Sequence, residues 1–337
     1  MLFQKSFHLK EYNTFGLNVT SRYFAGPASV EEAKEAVAEA LDLEVPIFVL
    51  GGGSNVLFTK DFDGLIIKPA MKFIEVVSQD TDKVCVAVGA GVVWDDLVAW
   101  CVERNWGGLE NLSGIPGTVG AAPVQNIGAY GAEAKDSIIM VEGFYLDSLE
   151  PFSLHVAECA FGYRTSLFKT ELKGNVMITR ILFSLSTVPQ SNTDYGRIEQ
   201  ELQSQPDNSI QSVRRAIIAI RNQKLPDPHK LGNAGSFFKN PYVDDALVQK
   251  IKCLYPDIPV YGSDLVGCSK LPAAFLIDKC GWKGKRVGYV GVHSDQPLVL
   301  VAFEGAQGSE VLALSQQIQS SVKEKFGVLL DPEVNIL

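Results

Sequence analysis

The chain has 337 residues, of which 46% are hydrophobic and 20% charged, proportions typical of a globular protein with a full core. Its net charge of −9 disfavours nucleic acid as a partner, because a phosphate backbone is bound by a basic surface. No apolar run has the length of a membrane span or a signal peptide, so we expect a cytoplasmic protein without a membrane partner.

The cysteines and histidines show no metal-binding or redox spacing. None of the six cysteines belongs to a CxxC motif and most lie in apolar segments, which predicts reduced, mostly buried thiols. The four histidines are spread along the chain, so neither a zinc site nor a serine–histidine triad is indicated. We expect no bound metal.

The first 70 residues have the pattern of a small α/β unit. Ser29 and Glu32 form a capping-box pattern ahead of apolar residues at helical spacing. Strands predicted at 47–50 and 65–68 flank the glycine turn 51–55, a plausible phosphate-binding arrangement, although a glycine triplet alone is more often a plain turn. No G-x-G-x-x-G opens a helix here, which excludes a dinucleotide-binding Rossmann motif.

A strand-rich region follows, with strands predicted at 73–77, 84–88, 140–145, 152–156 and 176–185 and a helix at 94–104. It contains segment 113–131, SGIPGTVGAAPVQNIGAYG, which has five glycines, two prolines and no charge. This pattern matches neither an amphipathic helix nor an alternating strand. Because glycine has no side chain, backbone N–H groups of this segment could approach a flat polyanion such as a dinucleotide. The alternative is that the segment is a structural loop packed under a sheet.

The remaining chain predicts a connector helix and a third compact region. The connector covers 210–223, with Ser209 as its N-cap, and two prolines end it. Beyond it we predict a helix at 273–280, a strand at 297–303, a long helix at 309–326 closed by Gly327, and a final strand over 328–337.

Eight segments, in this order, resemble the UDP-N-acetylenolpyruvoylglucosamine reductases, flavoenzymes of bacterial cell-wall synthesis. They are NTFG at 13–16, GGGSN at 51–55, IPG at 115–117, QNIGAYG at 125–131, FGYR at 161–164, KLPD at 224–227, GNAGSFFKNP at 232–241 and PEV at 332–334. The segments span nearly the whole chain.

The resemblance implies an α+β protein with the FAD-binding fold of vanillyl-alcohol-oxidase-type flavoproteins. Two α+β FAD-binding subdomains would cover 1–70 and 71–224, residues 328–337 would complete the first, and an α+β substrate-binding domain would cover 225–327. Ala121 and Ala122 stand where some members carry serines, which puts a hydroxyl contact to the flavin in doubt there. The FAD-binding residues implied by the resemblance are Gly51, Gly53, Ser54, Asn55, Ser113, Ile115, Pro116, Gly117, Thr118, Gly120, Gln125, Asn126, Gly128, Ala129 and Tyr130.

The resemblance also implies a reaction, the reduction of an enolpyruvyl ether on a UDP-sugar with NADPH as co-substrate. Arg164 matches the arginine that would hold the substrate carboxylate, a task suited to two parallel guanidinium hydrogen bonds. Ser236 matches the proton donor to carbon. Glu333 matches a glutamate near that carboxylate, where it would need to be protonated or hydrogen-bonded.

Further residues match the family's substrate-binding positions. Tyr195 matches the substrate-covering tyrosine of the type I subclass. Since a Rossmann motif is missing, we expect NADPH to use the substrate pocket and to leave before the substrate enters. We expect a monomer. The substrate-binding residues implied by the resemblance are Tyr163, Tyr195, Lys224, Asn240, Tyr261, Lys270 and Gln296.

Two other functions stay open from the residues alone. A related FAD-dependent oxidase or dehydrogenase of an alcohol or hydroxy acid would react with oxygen and carry a different third domain, against which segment 232–241 argues. In a non-catalytic flavin- or nucleotide-binding protein Arg164, Ser236 and Glu333 would be free to vary, and all three are present.

Overall fold

The computed structural model describes residues 3–190, 192–193, 196–263 and 265–337, without the side chains of residues 196 and 197. The α-helices are α1 Val30–Asp42, α2 Trp94–Glu103, α3 Gly196–Leu202, α4 Ile210–Lys224, α5 Asp245–Leu254, α6 Ala273–Lys279 and α7 Gly308–Phe326. The strands are β1 Gln4–His8, β2 Thr20–Ala25, β3 Ile47–Val49, β4 Val56–Leu57, β5 Phe62–Ile67, β6 Ile74–Gln79, β7 Lys83–Gly89, β8 Gly128–Ala129, β9 Ala132–Glu133, β10 Ile138–Tyr145, β11 Pro151–His155, β12 Val176–Ser186, β13 Gly232–Ser236, β14 Tyr242–Asp244, β15 Cys268–Lys270, β16 Arg286–Val287, β17 Val290–Val292, β18 Val299–Ala302 and β19 Asn335–Ile336.

The chain divides into two compact units that alternate along the sequence. Unit 1 consists of Met1–His8, Thr20–Gly53 and Phe62–Gln223. Unit 2 consists of Leu9–Val19, Ser54–Asp61 and Lys224–Leu337.

The first sheet of unit 1 has the strand order β1-β2-β5-β3. Strand β5 runs parallel to both β2 and β3, whereas β1 is antiparallel to β2. Helix α1 buries one alanine-rich face against this sheet, including Ala33, Val37 and Ala40. Its predicted N-terminus is confirmed, because the Ser29 hydroxyl accepts from the N–H of Glu32 at 3.1 Å.

The second sheet of unit 1 is antiparallel, with the order β11-β10-β12-β7-β6. Alternating residues of β7, Val84, Val86 and Val88, are fully buried in the same core as Trp94 of α2. The indole N–H of Trp94 donates to the carbonyl of Leu112 at 3.0 Å, which ties α2 to the start of segment 113–131.

Unit 2 contains the antiparallel sheet β13-β18-β17-β16 and the long helix α7. Helix α7 buries Val311, Leu314, Ile318 and Val322, which share one face of the helix. Gly327 ends it in the left-handed conformation, with φ +70°, as predicted.

Two sequence-based expectations are wrong in part. The predicted strand over 328–337 is a strand only at Asn335–Ile336, which pairs in parallel with β4; Pro332, which has no N–H to donate, contributes an isolated bridge to Phe238 instead. The six thiols are free, but the prediction that most are buried is wrong: Cys101 and Cys159 are buried, three others are partly buried, and Cys253 is exposed, since α5 buries the opposite face through Val248 and Ile251. Among the described residues, none of the helices has the length and apolar character needed to cross a bilayer.

Candidate functional site

The glycine turn after β3 lies at the carboxyl edge of the parallel part of the first sheet. Val49 pairs with Ile67 there, and both strands end at this edge. The ammonium of Lys68 donates to the carbonyl of Gly51 at 2.7 Å. Burial, together with the charge of Lys72, lowers the pKa of Lys68. Ligands of parallel sheets bind at this edge. Lys68 therefore adds a positive charge to the predicted phosphate-binding turn, and the sequence pattern does not indicate this role for Lys68.

The turn packs directly on segment 113–131. A Cβ atom added to Gly51 would lie 2.9 Å from the Cβ of Ala121, and one added to Gly52 would lie 2.7 Å from the Cα of Gly117. Real Cβ atoms do not approach other atoms so closely, so the glycines are what allow these two backbones to touch. Gly51 and Gly52 of the predicted FAD-binding turn therefore meet segment 113–131 within unit 1, as closely packed backbone.

Segment 113–131 is held in a left-handed conformation at several positions. Asn126 has φ 45° and is fully buried. Its side-chain amide donates to Glu133 Oε2 at 3.0 Å and to the carbonyl of Gly162 at 3.1 Å, while its oxygen accepts from the N–H of Lys135 at 3.1 Å. These bonds supply the energy that a non-glycine residue needs to keep this conformation.

Arg164 lies against the same segment. One guanidinium nitrogen donates to the carbonyl of Gly128 at 2.7 Å, and the guanidinium carbon lies 6.0 Å from the centre of the Tyr163 ring. Arg164 itself has φ 54° in the turn that joins Gly162 to Thr165. The structure thus brings the predicted carboxylate-binding arginine to the predicted FAD-binding segment.

Two charged residues outside the motifs, Asp95 and Arg221, also contact this segment, and a third, Arg214, binds Asp95. The carboxylate of Asp95 accepts from the N–H of Gly114 at 2.6 Å and binds Arg214 through both oxygens, at 2.6 and 2.8 Å. Arg221 Nε donates to the carbonyl of Gly114 at 3.1 Å. Burial lowers the pKa of Arg221, although Tyr130 and Asp95 act to raise it. Their signal in the sequence is weak: an acid in the first turn of one helix and two arginines seven residues apart on another.

In unit 2, the end of β13 brings Ser236 next to Glu333. The strand is irregular between Asn233 and Ser236, where Gly235 has φ +67° and its N–H donates to Asn233 Oδ1 at 2.9 Å. The N–H of Glu333 donates to the carbonyl of Phe237 at 2.8 Å. Two of the three predicted catalytic residues are therefore held on adjacent backbone, although nearly a hundred residues separate them in sequence.

Asn55, a predicted FAD-binding residue, belongs to the same part of unit 2. Its amide donates to the carbonyl of Glu333 at 3.3 Å, and its own carbonyl accepts from the N–H of Asn335 at 3.1 Å. The C-terminal segment is thus bound to Asn55, the last residue of the glycine turn.

The predicted substrate-binding residues are spread more widely. Tyr261 and Lys270 exchange two backbone hydrogen bonds of 3.0 Å, and the Lys270 ammonium lies 4.8 Å from the centre of the Tyr242 ring. Asn240 Oδ1 caps the start of α6, accepting from the N–H of Ala273 at 3.0 Å. Tyr195 lies outside the described residues. Gln296 precedes β18, where its N–H donates to His293 Nδ1 at 3.2 Å, and Lys224 is the last residue of α4.

Comparison with known proteins decides the family. Residues 227–337 match the C-terminal domain of UDP-N-acetylenolpyruvoylglucosamine reductase, and residues 21–145 match an FAD binding domain. A UDP-N-acetylenolpyruvoylglucosamine reductase of Bacteroides fragilis is 46% identical over 334 residues, which cover 99% of this chain and 100% of the relative. The chain belongs to the UDP-N-acetylenolpyruvoylglucosamine reductase family.

Other members of the reductase family agree. The Pseudomonas aeruginosa relative is 44% identical over 99% of this chain and 98% of its own length. The crystal structure of the Thermus caldophilus reductase matches with a TM-score of 0.70 at 25% identity, covering 99% of this chain and 98% of that one. The predicted family and the predicted α+β FAD-binding fold are confirmed.

The residues present fit the FAD that this reductase family implies. Gly51 and Gly52 pack on segment 113–131 so closely that a Cβ atom has no room. Such a charge-free backbone surface at the carboxyl edge of parallel strands suits a flat ring system with a diphosphate. Lys68, held at the turn by Gly51, adds the positive charge that a diphosphate needs.

Proposed function

We propose that this protein reduces UDP-N-acetyl-3-O-(1-carboxyvinyl)-glucosamine to UDP-N-acetylmuramate, with NADPH as reductant, in bacterial peptidoglycan precursor synthesis. The observation that carries the proposal is the 46% identity, over 99% of the chain, to a relative named as this reductase. The presence of Arg164, Ser236 and Glu333 supports catalysis rather than flavin binding alone.

In this proposal the glycine turn and segment 113–131 hold FAD, which when bound and reduced by NADPH supplies the hydride for the terminal vinyl carbon. Backbone N–H groups of the turn bind the diphosphate, and segment 113–131 lies against the rings. The FAD-binding residues proposed are those that the family resemblance implies, with Lys68 added.

Arg164 binds the carboxylate of the enolpyruvyl group. Negative charge develops on the carbon beside that carboxylate, and a guanidinium that pairs with the carboxylate stabilises this charge as it grows. The role is supported by the bond from Arg164 to the carbonyl of Gly128, which orients the guanidinium at the FAD-binding segment.

Ser236 donates the proton that completes the reduction. A serine hydroxyl is a weak acid, but the carbon that accepts the proton is strongly basic, so transfer is favourable once the groups are aligned. Glu333 is held beside Ser236 by its bond to Phe237, and in this proposal its carboxyl group orients the hydroxyl or a water next to it.

In this proposal the UDP-sugar is bound by Tyr163, Tyr195, Lys224, Asn240, Tyr261, Lys270 and Gln296. Two lysines suit a diphosphate, because each ammonium offers a compact positive charge.

We further propose FAD-binding subdomains at 1–70, completed by 328–337, and at 71–224, and a substrate-binding domain at 225–327. The free thiols support a cytoplasmic location, and a monomer is proposed.

The flavin spectrum tests the function directly. Purified protein should show oxidised flavin that NADPH bleaches under anaerobic conditions, and the enolpyruvyl UDP-sugar should then restore the absorbance. Colourless, flavin-free protein would contradict the proposal. So would reduced flavin that oxygen reoxidises and the enolpyruvyl sugar does not, which is the behaviour of an oxidase.

A further inference from the structure

Gly114 is held by side chains on both of its backbone polar groups. Its N–H donates to Asp95 Oδ1 at 2.6 Å, and its carbonyl accepts from Arg221 Nε at 3.1 Å. Gly114 has φ +68°, and the side chain of Arg221 lies 3.3 Å from where a Cβ atom would be. It stands second in segment 113–131, so its conformation sets the direction in which the rest of the segment leaves the core.

Asp95 is itself held in place by Arg214. The guanidinium binds both carboxylate oxygens, at 2.6 and 2.8 Å, and the two side chains are 16% (Arg214) and 32% (Asp95) exposed. Asp95 lies in the first turn of α2, where the helix dipole favours a negative charge. Burial by itself would raise the pKa of Asp95, but the bonds from Arg214 and Gly114, with the charges of Arg214 and Arg221, hold it below its usual value.

Helix α4 supplies both arginines. Arg214 and Arg221 are seven residues apart, which is about two helical turns, so they lie on the same face of α4. Arg214 acts on the N–H of Gly114 indirectly, through Asp95, and Arg221 binds the carbonyl of Gly114 directly. Exposed ion pairs contribute little, but this pair is bidentate and largely buried, which makes it strong and fixes its geometry.

We propose that Asp95, oriented by Arg214, is a positioning residue for FAD: it fixes Gly114 and thereby the backbone surface on which the cofactor lies. The inference rests on the proposed function, because it takes segment 113–131 as the FAD-binding segment. Asn in place of Asp95 keeps the size of the side chain and loses its charge, which leaves Arg214 partly buried without its partner.

The test is FAD release from the holoenzyme. Asp95→Asn, Arg214→Met, the double variant and the milder Arg214→Lys are diluted to submicromolar concentration, and free FAD is measured by its fluorescence. We expect the dissociation constant for FAD to rise about tenfold or more in Asp95→Asn and in Arg214→Met. The double variant should lose no more FAD affinity than the weaker-binding of these two single variants, because both substitutions break the same interaction. Arg214→Lys keeps the positive charge but cannot form the bidentate hydrogen bond, so its FAD affinity should lie between those of the wild type and Arg214→Met. The rate of flavin reduction by NADPH at saturating FAD should stay near that of the wild type.

Glu142→Gln is the matched control. It breaks the Glu142–Arg180 pair, 3.1 Å long and partly buried in the same unit, and should change FAD affinity less than twofold. Wild-type affinity in Asp95→Asn, additive losses in the double variant, or an equal loss in Glu142→Gln would overturn the positioning role. If the wild type binds FAD and Asp95→Asn weakens it, but the enolpyruvyl sugar is not reduced, the proposed function fails while the positioning role stands. Wild-type protein without affinity for FAD would overturn both.

Discussion

The backbone N–H of Glu333 donates to the carbonyl of Phe237 across 2.8 Å, which fixes a residue near the C-terminus beside the end of β13. Asn55 binds the carbonyl of Glu333, and the side chain of Glu333 is half-buried. Glu333 is therefore not a residue of a solvated tail. Because these bonds involve only the backbone of Glu333, a substitution of its side chain should leave them in place and so test the chemical role of the carboxyl group apart from folding.

Glu333→Gln should keep the fold and impair the reaction, because both backbone bonds remain while the carboxyl group is lost. Reoxidation of reduced flavin by the enolpyruvyl sugar should slow more than flavin reduction by NADPH, in stopped-flow absorbance. Deletion of residues 333–337 should instead lower the melting temperature, since it also removes the pairing of β19 with β4. A Glu333→Gln variant that reoxidises its flavin at the wild-type rate would refute the assignment.

Ser236→Ala should leave bleaching by NADPH intact and slow reoxidation by the enolpyruvyl sugar by about 10²–10⁴-fold, the usual contribution of a general acid. Stopped-flow absorbance separates the two half-reactions. Ser320→Ala, an exposed position on α7, is the control and should change neither rate. Equal reoxidation rates in Ser236→Ala and wild type would exclude Ser236 as the proton donor.

Gly52→Ala should lower both flavin content and melting temperature, because the new methyl group would lie 2.7 Å from the Cα of Gly117 and backbone would have to move. Gly26→Ala is the control from the same unit: its methyl group would have its nearest neighbour at 3.8 Å, an ordinary contact. The ratio of flavin to protein absorbance and a thermal melt measure both effects. Full flavin content and an unchanged melt in Gly52→Ala would show that the two segments do not pack as described.

Acid should destabilise the protein partly through Asp207. Hydrogen bonds from Ser209 and Ser212, each 2.6 Å, lower the pKa of Asp207 from 3.8 to about 2. A lowered pKa gives stability that is present above the unfolded value and lost as the pH falls through the folded one. The melting temperature should thus drop between about pH 4 and pH 2, and Asp207→Asn should reduce that drop while lowering stability at neutral pH. Asp42→Asn, at an exposed helix end, is the control; an identical drop in Asp207→Asn would contradict this.

The thiols should differ sharply in reactivity in the native protein. Burial raises the pKa of Cys101 to about 12 and of Cys159 to about 11, so neither forms thiolate at pH 8. Cys253 is exposed and should react quickly with a disulfide reagent such as DTNB. Cys253→Ser should remove the fast phase of the DTNB reaction, and the remaining thiols should react once denaturant unfolds the protein. Fast modification of Cys101 in folded protein would contradict its place in the core.

Local features were predicted well because they depend on neighbours in sequence. Ser29 starts α1 and Gly327 ends α7 through hydrogen bonds within one turn, which a short pattern of residues already encodes. The final strand was overpredicted because an apolar run resembles a strand whether or not a partner strand is available. Pro332 interrupts the ladder there, and pairing is limited to two residues.

The sequence by itself determined the elements, the glycine segments and, through eight ordered motifs, the family and its cofactor. What the tertiary structure decided is which distant residues meet: Glu333 with Phe237, Arg164 with Gly128, and Asp95 with Gly114 and Arg214. These contacts depend on how strands and helices pack, and no local preference encodes them. Asp95 and Arg214 are 119 positions apart and belong to none of the eight motifs, so only the folded structure shows that they form a pair.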